Sequence, residues 1–292
     1  MKKTLLALYL MPLALLCSQL TRAQDEDSVS VVKRKSHLKI ELSYLNDNVY
    51  MGRSDSAKVP YITAGLRYIH KSGLFAELST SYLTTEDRPD LVQLSAGYMF
   101  SKGNWEGEIA ANKYYYNANS YNVNAETKGD INLYTAYDLG FIQPSFTGEM
   151  KFSTTTDYVT TFGLEHDFSF FDESLLVEPC VYMNAATQNY YNLYYQKRKY
   201  TTNRKGVKKA VGTITANTED AGRFKILDYE LTAPIEYVQH RFTFSFTPTY
   251  AIPVNANQVT ITVTTNNATR TRVQTETLNN RFYWCAGVSF KI

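Results

Sequence analysis

The sequence predicts an all-β protein: a transmembrane, antiparallel, up-and-down β-barrel of about 12 strands. Apolar and polar residues alternate along roughly a dozen short segments. A secretion leader stands before them, and beyond it no run approaches the ~18 apolar residues of a membrane helix. The closing segment alternates most plainly. Phe282, Trp284, Ala286, Val288, Phe290 and Ile292 are apolar, while Tyr283, Cys285, Gly287, Ser289 and Lys291 are polar or small. A strand of that period has one apolar and one polar side. In a barrel crossing lipid the apolar side faces outward.

The leader has a charged start at Lys2 and Lys3, an apolar stretch from Thr4 to Leu16, and small residues around a cleavage site after Ala23. Leu16 is too bulky for ordinary lipoprotein processing at Cys17, so no lipid anchor is expected. The organisation predicted is a signal peptide over 1–23, a periplasmic tail over 24–36 and one barrel over 37–292. Lys and Arg number 30 against 28 Asp and Glu; losing Lys2, Lys3 and Arg22 leaves 27 against 28. That balance does not favour nucleic acid as a partner. With 24 tyrosines and 15 phenylalanines, the composition suits strands with one lipid and one aqueous face.

The first strand, His37 to Leu45, turns Leu38, Ile40, Leu42 and Tyr44 outward. The second, Val59 to His70, shows Ile62, Ala64, Leu66 and Tyr68. A tight Lys71-Ser72-Gly73 turn leads to the third, Leu74 to Thr84, with Ala76, Leu78 and Tyr82 outside. The fourth is Leu91 to Phe100 and the fifth Trp105 to Tyr115. The sixth, Asp130 to Phe141, sets Ile131, Leu133, Tyr137 and Leu139 against Asp130, Asn132, Tyr134 and Asp138. The seventh is Ile142 to Ser153, the eighth Asp157 to Phe168 and the ninth Ser174 to Thr187. The tenth, Lys225 to Val238, turns Leu227, Tyr229, Leu231, Ala233, Ile235 and Tyr237 outward. Arg241 to Ile252 and the closing segment complete the set. Pro179 and Pro248 fall inside strands, so bulges or shifted ends are expected there.

Connections alternate between short turns and long loops, the longest spanning about 188–224 and 253–280. Val259 to Val263 and Arg270 to Val273, joined near Asn266 and Asn267, read as a projecting hairpin. The outward register holds Lys113 and His166 but no Asp, Glu or Arg. The inward register carries the acids. The lumen-facing candidates are Glu77, Glu108, Asp130, Asp138, Glu149, Glu178, Asp228 and Glu230, with Glu41, Glu106, Glu165, Asp167 and Glu236 beside them. Five bases oppose them: Lys39, Arg67, Lys151, Arg281 and Lys291. Such a wall concentrates cations if the barrel conducts. Paired with those bases and with Tyr, Asn and Thr, the same acids would instead form a polar filling. Cys180 and Cys285 also point inward and are expected as two thiols, bridged only if their strands adjoin.

The final strand resembles the C-terminal signal of the Gram-negative outer-membrane β-barrel superfamily, although it ends in Ile292 rather than an aromatic residue. That resemblance implies the outer membrane as location, its lipids as surroundings, and the barrel-assembly machinery as a partner during biogenesis. Tyr50-Met51-Gly52-Arg53-Ser54, Pro60, Gly65-Leu66 and Ser72-Gly73-Leu74-Phe75-Ala76 are similar to the start of TorF-type porins. The superfamily specifies architecture, not activity.

Three function classes follow. The first is a small porin-like diffusion channel, cation-preferring, passing small solutes. Its longest loop carries Tyr190, Tyr191, Tyr194 and Tyr195, then the basic cluster Lys197, Arg198, Lys199, Arg204, Lys205, Lys208 and Lys209. That loop could fold inward as a constriction, contact outer-leaflet phosphates, or stay solvated. The second class is a non-conducting surface-binding or structural barrel displaying loops, among them the Tyr- and Asn-rich third loop. The third, an outer-membrane lipid hydrolase or protease, needs a base beside a nucleophile at the outer leaflet. His37, His70, His166 and His240 all fall at the short-turn rim, so no enzyme, catalytic residue or cofactor is expected. No His/Cys spacing or carboxylate loop marks a metal site.

Overall fold

The computed structural model describes residues 35–55, 57–199, 213–265 and 268–292. The leader and nearly all of the tail lie outside them. β1 (His37–Leu45), β2 (Tyr61–Ile69), β3 (Leu74–Leu83), β4 (Arg88–Lys102), β5 (Trp105–Tyr116), β6 (Gly129–Tyr137) and β7 (Gln143–Phe152) pair antiparallel in chain order. β8 (Thr156–Glu165) continues as β9 (Phe168–Phe170), and β10 (Leu175–Val177) leads into β11 (Cys180–Ala186). A helix α1 (Asn189–Tyr194), a π-helical turn (Tyr195–Lys199) and β12 (Thr213–Thr218) follow. β13 (Lys225–Thr232) continues as β14 (Ile235–Gln239). β15 (Phe242–Pro253), β16 (Gln258–Thr265), β17 (Ala268–Thr275) and β18 (Arg281–Lys291) complete the chain.

With each interrupted strand taken as one, these elements form a closed 12-strand antiparallel barrel. The fold class is the one the alternation predicted. β13 pairs with β15, β15 with β18, and β18 with β1, where Glu41 faces Ser289 and Leu45 faces Cys285. β12, β16 and β17 form a separate three-stranded sheet at the long-loop end. Its β16–β17 pair is the projecting hairpin; the turn at 266–267 lies outside the described residues.

The interruptions share a cause. Proline offers no backbone donor to a ladder. Pro179 separates β10 from β11, and Pro234 separates β13 from β14. The carbonyls there are still used: His166 N–H donates to Pro179 O at 3.2 Å, and Glu178 N–H to Pro234 O at 2.9 Å. Pro248 lies unbroken within β15, beside the gap in its neighbour, and its carbonyl accepts Ala233 N–H. The prolines thus gather on adjoining strands as one seam in the wall.

Two register shifts correct the simple alternation. Between β11 and β13 the pairing steps from Asn184–Asp228 to Ala185–Ile226, leaving Leu227 as an extra residue. A bulge of this kind turns two successive side chains to one face. Leu227, expected outside, is therefore buried together with Asp228. A second shift, from Ser81–Leu91 to Tyr82–Pro89, leaves Asp90 extra, and it too is buried.

Elsewhere the two faces sort as predicted. Ile40, Leu42, Leu66, Leu78, Leu94, Ile109, Leu133, Phe162 and Leu231 are exposed on the outer surface. Aromatic pairs mark its edges: Trp105 meets Tyr137 at 4.9 Å, Phe242 meets Phe290 at 4.8 Å, and Tyr44 meets Trp284 at 5.5 Å. Lys113 is exposed near the long-loop end of β5, its ammonium 5.7 Å from the Tyr115 ring. The β2–β3 turn needs glycine. Gly73 has φ +96°, and a Cβ there would sit 2.2 Å from Met99 O.

Candidate functional site

The barrel interior holds the acids as a series of paired clusters. Arg67 on β2 reaches Glu77 and Glu108 at 3.1 Å each. Its guanidinium lies 3.7 Å from the centre of the Phe75 ring. A fixed planar fork suits two carboxylates at once. Along the wall, Gln143 donates to Glu106 at 2.8 Å. Ser145 and Tyr182 both donate to Glu165 Oε1, at 2.6 and 3.1 Å. Glu178 is buried beside Cys180, whose thiol is 3.1 Å from the Glu178 carbonyl. Asp130 accepts from Asn112 at 2.6 Å and from the Tyr114 hydroxyl. Lys151 lies 3.5 Å from Glu149 and 4.3 Å from the centre of the Tyr50 ring. Asn184 donates to Asp228 at 2.9 Å, and Tyr283 donates to Glu230 at 3.1 Å.

Of the eight lumen-facing candidates, Glu108, Asp130, Glu149, Glu178, Asp228 and Glu230 are buried and Glu77 is partly buried. Asp138 stands apart from them. It follows β6 in a short turn, where its carboxylate accepts the Gly140 N–H at 2.6 Å. Asx-type bonding of this sort commits the side chain to the turn. On the described strands, the buried bases are Arg67 and Lys151, against Asp90, Glu106, Glu108, Asp130, Glu149, Asp157, Glu165, Asp228, Glu230 and Glu236, with Glu178 buried in the gap between β10 and β11. Cys180 is a free, buried thiol. β11 and β18 are not neighbours, so Cys180 and Cys285 do not bridge each other.

The long-loop end is filled. Residues 46–55 and 57–60 fold back into the barrel: Asp47 Oδ1 accepts Val59 N–H at 2.9 Å, and Asn48 N–H donates to Val59 O. Arg53 is the pin. Its guanidinium donates to Met51 O, Leu227 O, Val254 O and Asn255 O at 2.8–3.2 Å, and pairs with Glu276 at 3.6 Å. Asp157, at the top of β8, holds the start of α1. It accepts Asn189 N–H and Tyr190 N–H at 2.8 Å and the Thr187 hydroxyl at 2.6 Å. A carboxylate on the first free N–H groups of a helix is a strong cap. Tyr190, Tyr191, Tyr194 and Tyr195 then pack with Tyr50, Val123, Val159 and Leu227 into one buried cluster. Tyr191 and Tyr194 stack at 5.8 Å, Tyr50 meets Tyr190 edge-on at 5.1 Å, and Tyr194 donates to Asp55.

The third loop also turns inward. Tyr121, Asn122 and Asn124 are buried, and the Ser120 and Tyr61 hydroxyls both donate to Asp90 Oδ2 at 2.5 Å. Ala118 and Asn119, in the same loop, remain exposed. Of the basic cluster, Lys197 pairs with Glu126 at 3.2 Å on the surface. Arg198 and Lys199 fall in the π-helical turn, and Arg204, Lys205, Lys208 and Lys209 lie outside the described residues. Burial is the main reason the Tyr50, Tyr190 and Tyr191 hydroxyls are held well above their ordinary range. Burial likewise raises Asp47, against a partly compensating bond from Val59.

The four histidines sit at the short-turn end. His70 Nδ1 is 2.8 Å from Ser72 Oγ, a contact two residues along an exposed turn. The His166 ring rests against Phe168 at 4.5 Å. Among the described residues, no group of three or more His, Cys, Asp and Glu could hold a metal ion. Arg53, Asp55, Asp90 and Asp157 carry the architecture of the mouth; the sequence singled out Arg53 alone, within the resemblance to TorF-type porins and not for this role. Their partners lie far along the chain, and no local spacing encodes such contacts.

No family model matches the chain, and no curated protein matches it. Among solved structures, the KdgM porin aligns at 7% identity over 86% of this chain and 98% of its own, with a TM-score of 0.47. The NanC porin aligns at 9% over 87% and 100%, with a TM-score of 0.46. LpxR from Salmonella typhimurium aligns at 10% over 86% and 99%, with a TM-score of 0.41. At such identities nothing about solute or activity carries across.

Proposed function

We propose that this chain is an outer-membrane diffusion channel for small cationic solutes, narrowed at its external mouth by its own loops. The observation that supports it most is the sorting of charge across one wall. Leu42 is 51% exposed on the outer face, whereas Glu165 is 1% exposed within. A Lys or Arg facing mid-bilayer lipid costs about 2–4 kcal/mol, which accounts for the bare exterior. Inside, carboxylates outnumber the buried bases and lower the potential that a cation meets. Export by the 1–23 leader, assembly through the C-terminal strand and contact with outer-membrane lipids belong to the same reading. The short-turn end is then periplasmic and the long-loop end external. The histidines fall at the periplasmic rim, away from any outer-leaflet substrate, which weighs against a hydrolase.

One observation favours a second reading, a non-conducting structural or surface-binding barrel. The tyrosine cluster and Arg53 fill the mouth with buried, bonded groups. Planar-bilayer recording separates the two. The expected result is single-channel current whose reversal potential in a salt gradient shows preference for potassium over chloride. If neither the whole protein nor a variant lacking residues 190–222 carries current, the channel reading falls.

A further inference from the structure

A cavity of about 220 Å³ opens at the long-loop end between the first loop, the π-helical turn and the segment after β17. Its charged lining is largely spent on the protein itself. Arg53 is enclosed by four backbone carbonyls and Glu276. Asp55 accepts from Tyr194 and from Ala57 N–H. Glu276 Oε2 also accepts from the backbone and side-chain amides of Asn257, at 3.2 Å each. Opposite them stand groups that make no side-chain hydrogen bond or ion pair among the described residues: Gln274, Thr277, Asn279 and Arg281. The remaining wall holds Tyr191 and Tyr195, edge to face at 4.9 Å, beside the aliphatic Val259, Ile261 and Leu278.

We infer that this cavity binds a neutral polyhydroxylated ligand, one saccharide unit in size. A sugar ring offers an apolar C–H face and a rim of hydroxyls that both donate and accept. The tyrosine rings suit the face. Two amides, which donate and accept, together with a hydroxyl and a guanidinium, suit the rim. Arg53 and the lining carboxylates are engaged within the protein, and the remaining charge, on Arg281, acts on the nearby Asp47 carboxyl, which leaves little to favour an ionic ligand; a volume below that of drug-sized pockets limits the ligand to a small ring. The site does not depend on whether the barrel conducts.

The test is saturation-transfer NMR on the full chain folded in detergent, with D-glucose, D-glucuronate and D-glucosamine as separate probes. Glucose is expected to receive saturation from the tyrosine ring protons and to bind with a Kd on the order of 1 mM. Tyr195→Ala should weaken it at least tenfold, while Tyr195→Phe retains it. Thr277→Val with Asn279→Ala, on the exposed wall, should weaken it several-fold without touching the tyrosine cluster. Absence of transfer to glucose at concentrations about tenfold above that Kd overturns the inference. So does binding of glucuronate or glucosamine more than tenfold tighter than glucose, since charge would then dominate recognition. A protein that binds glucose yet carries no current argues against the channel alone.

Discussion

The two ends of the barrel are built by different rules. Toward the short turns, inward side chains meet across neighbouring strands, as Arg67 with Glu77 and Ser145 with Glu165. Toward the long loops, the contacts join segments remote in the chain: Arg53 with Leu227, Tyr194 with Asp55, Asp157 with Tyr190. The first set follows from a period of two and a shared ladder. The second set depends on how three loops fold onto one another. The wall therefore fixes what a solute would feel, and the mouth fixes whether it gets in.

The largest effect expected from breaking this division is on current. Removing residues 190–222 takes away α1 and its tyrosines and should raise single-channel conductance several-fold, with the barrel still resistant to detergent at room temperature. Equal conductance before and after would show that the cluster is no barrier. Arg53→Ala comes next. It strands buried carbonyls and Glu276 and should destabilise the mouth by about 3 kcal/mol. Protease susceptibility within 46–60, measured beside intact barrel migration on a gel, reads that loss. Asp157→Ala removes the cap of α1 and should cost about 1–2 kcal/mol, seen as faster amide exchange at Asn189 and Tyr190.

Sharpening the other side calls for the wall. Glu149→Gln with Asp228→Asn keeps size and hydrogen bonding but removes two interior carboxyls, so cation preference should fall while conductance changes little. An unchanged reversal potential would detach selectivity from these acids. The smallest effect concerns pH. Burial raises Asp47 in the folded protein, so folding is favoured when this group is protonated. That contribution is full below the ordinary value of 3.8 and is lost as pH rises through the raised folded value. Asp47→Asn can still accept the Val59 N–H and should flatten this dependence in thermal melts compared between pH 4 and pH 7.

The sequence reveals the wall because each strand states its own orientation. Phe242, Phe244 and Phe246 against Thr243, Ser245 and Thr247 need no partner to be read. Leu227 was misread because the bulge beside Asn184 is a property of two strands, and one strand's spacing does not contain it. Asp138 was misread because a strand end and a turn share the same alternation until the chain reverses at Gly140, where φ is +87°. Asp157 carried no local sign of its role, since the N–H groups it binds lie some thirty residues onward. Pro179 was legible as a disturbance, but the match with Pro234 across the ladder emerges only once the strands are side by side.

The pairing of β1 with β18 has a consequence for biogenesis. The seam that finishes the cylinder is made from β1 and β18, so a product lacking either strand is not a sealed one. A ribosome that stops before β18 leaves two raw edges, each a template for aggregation. Closure is thus written into a single row of hydrogen bonds.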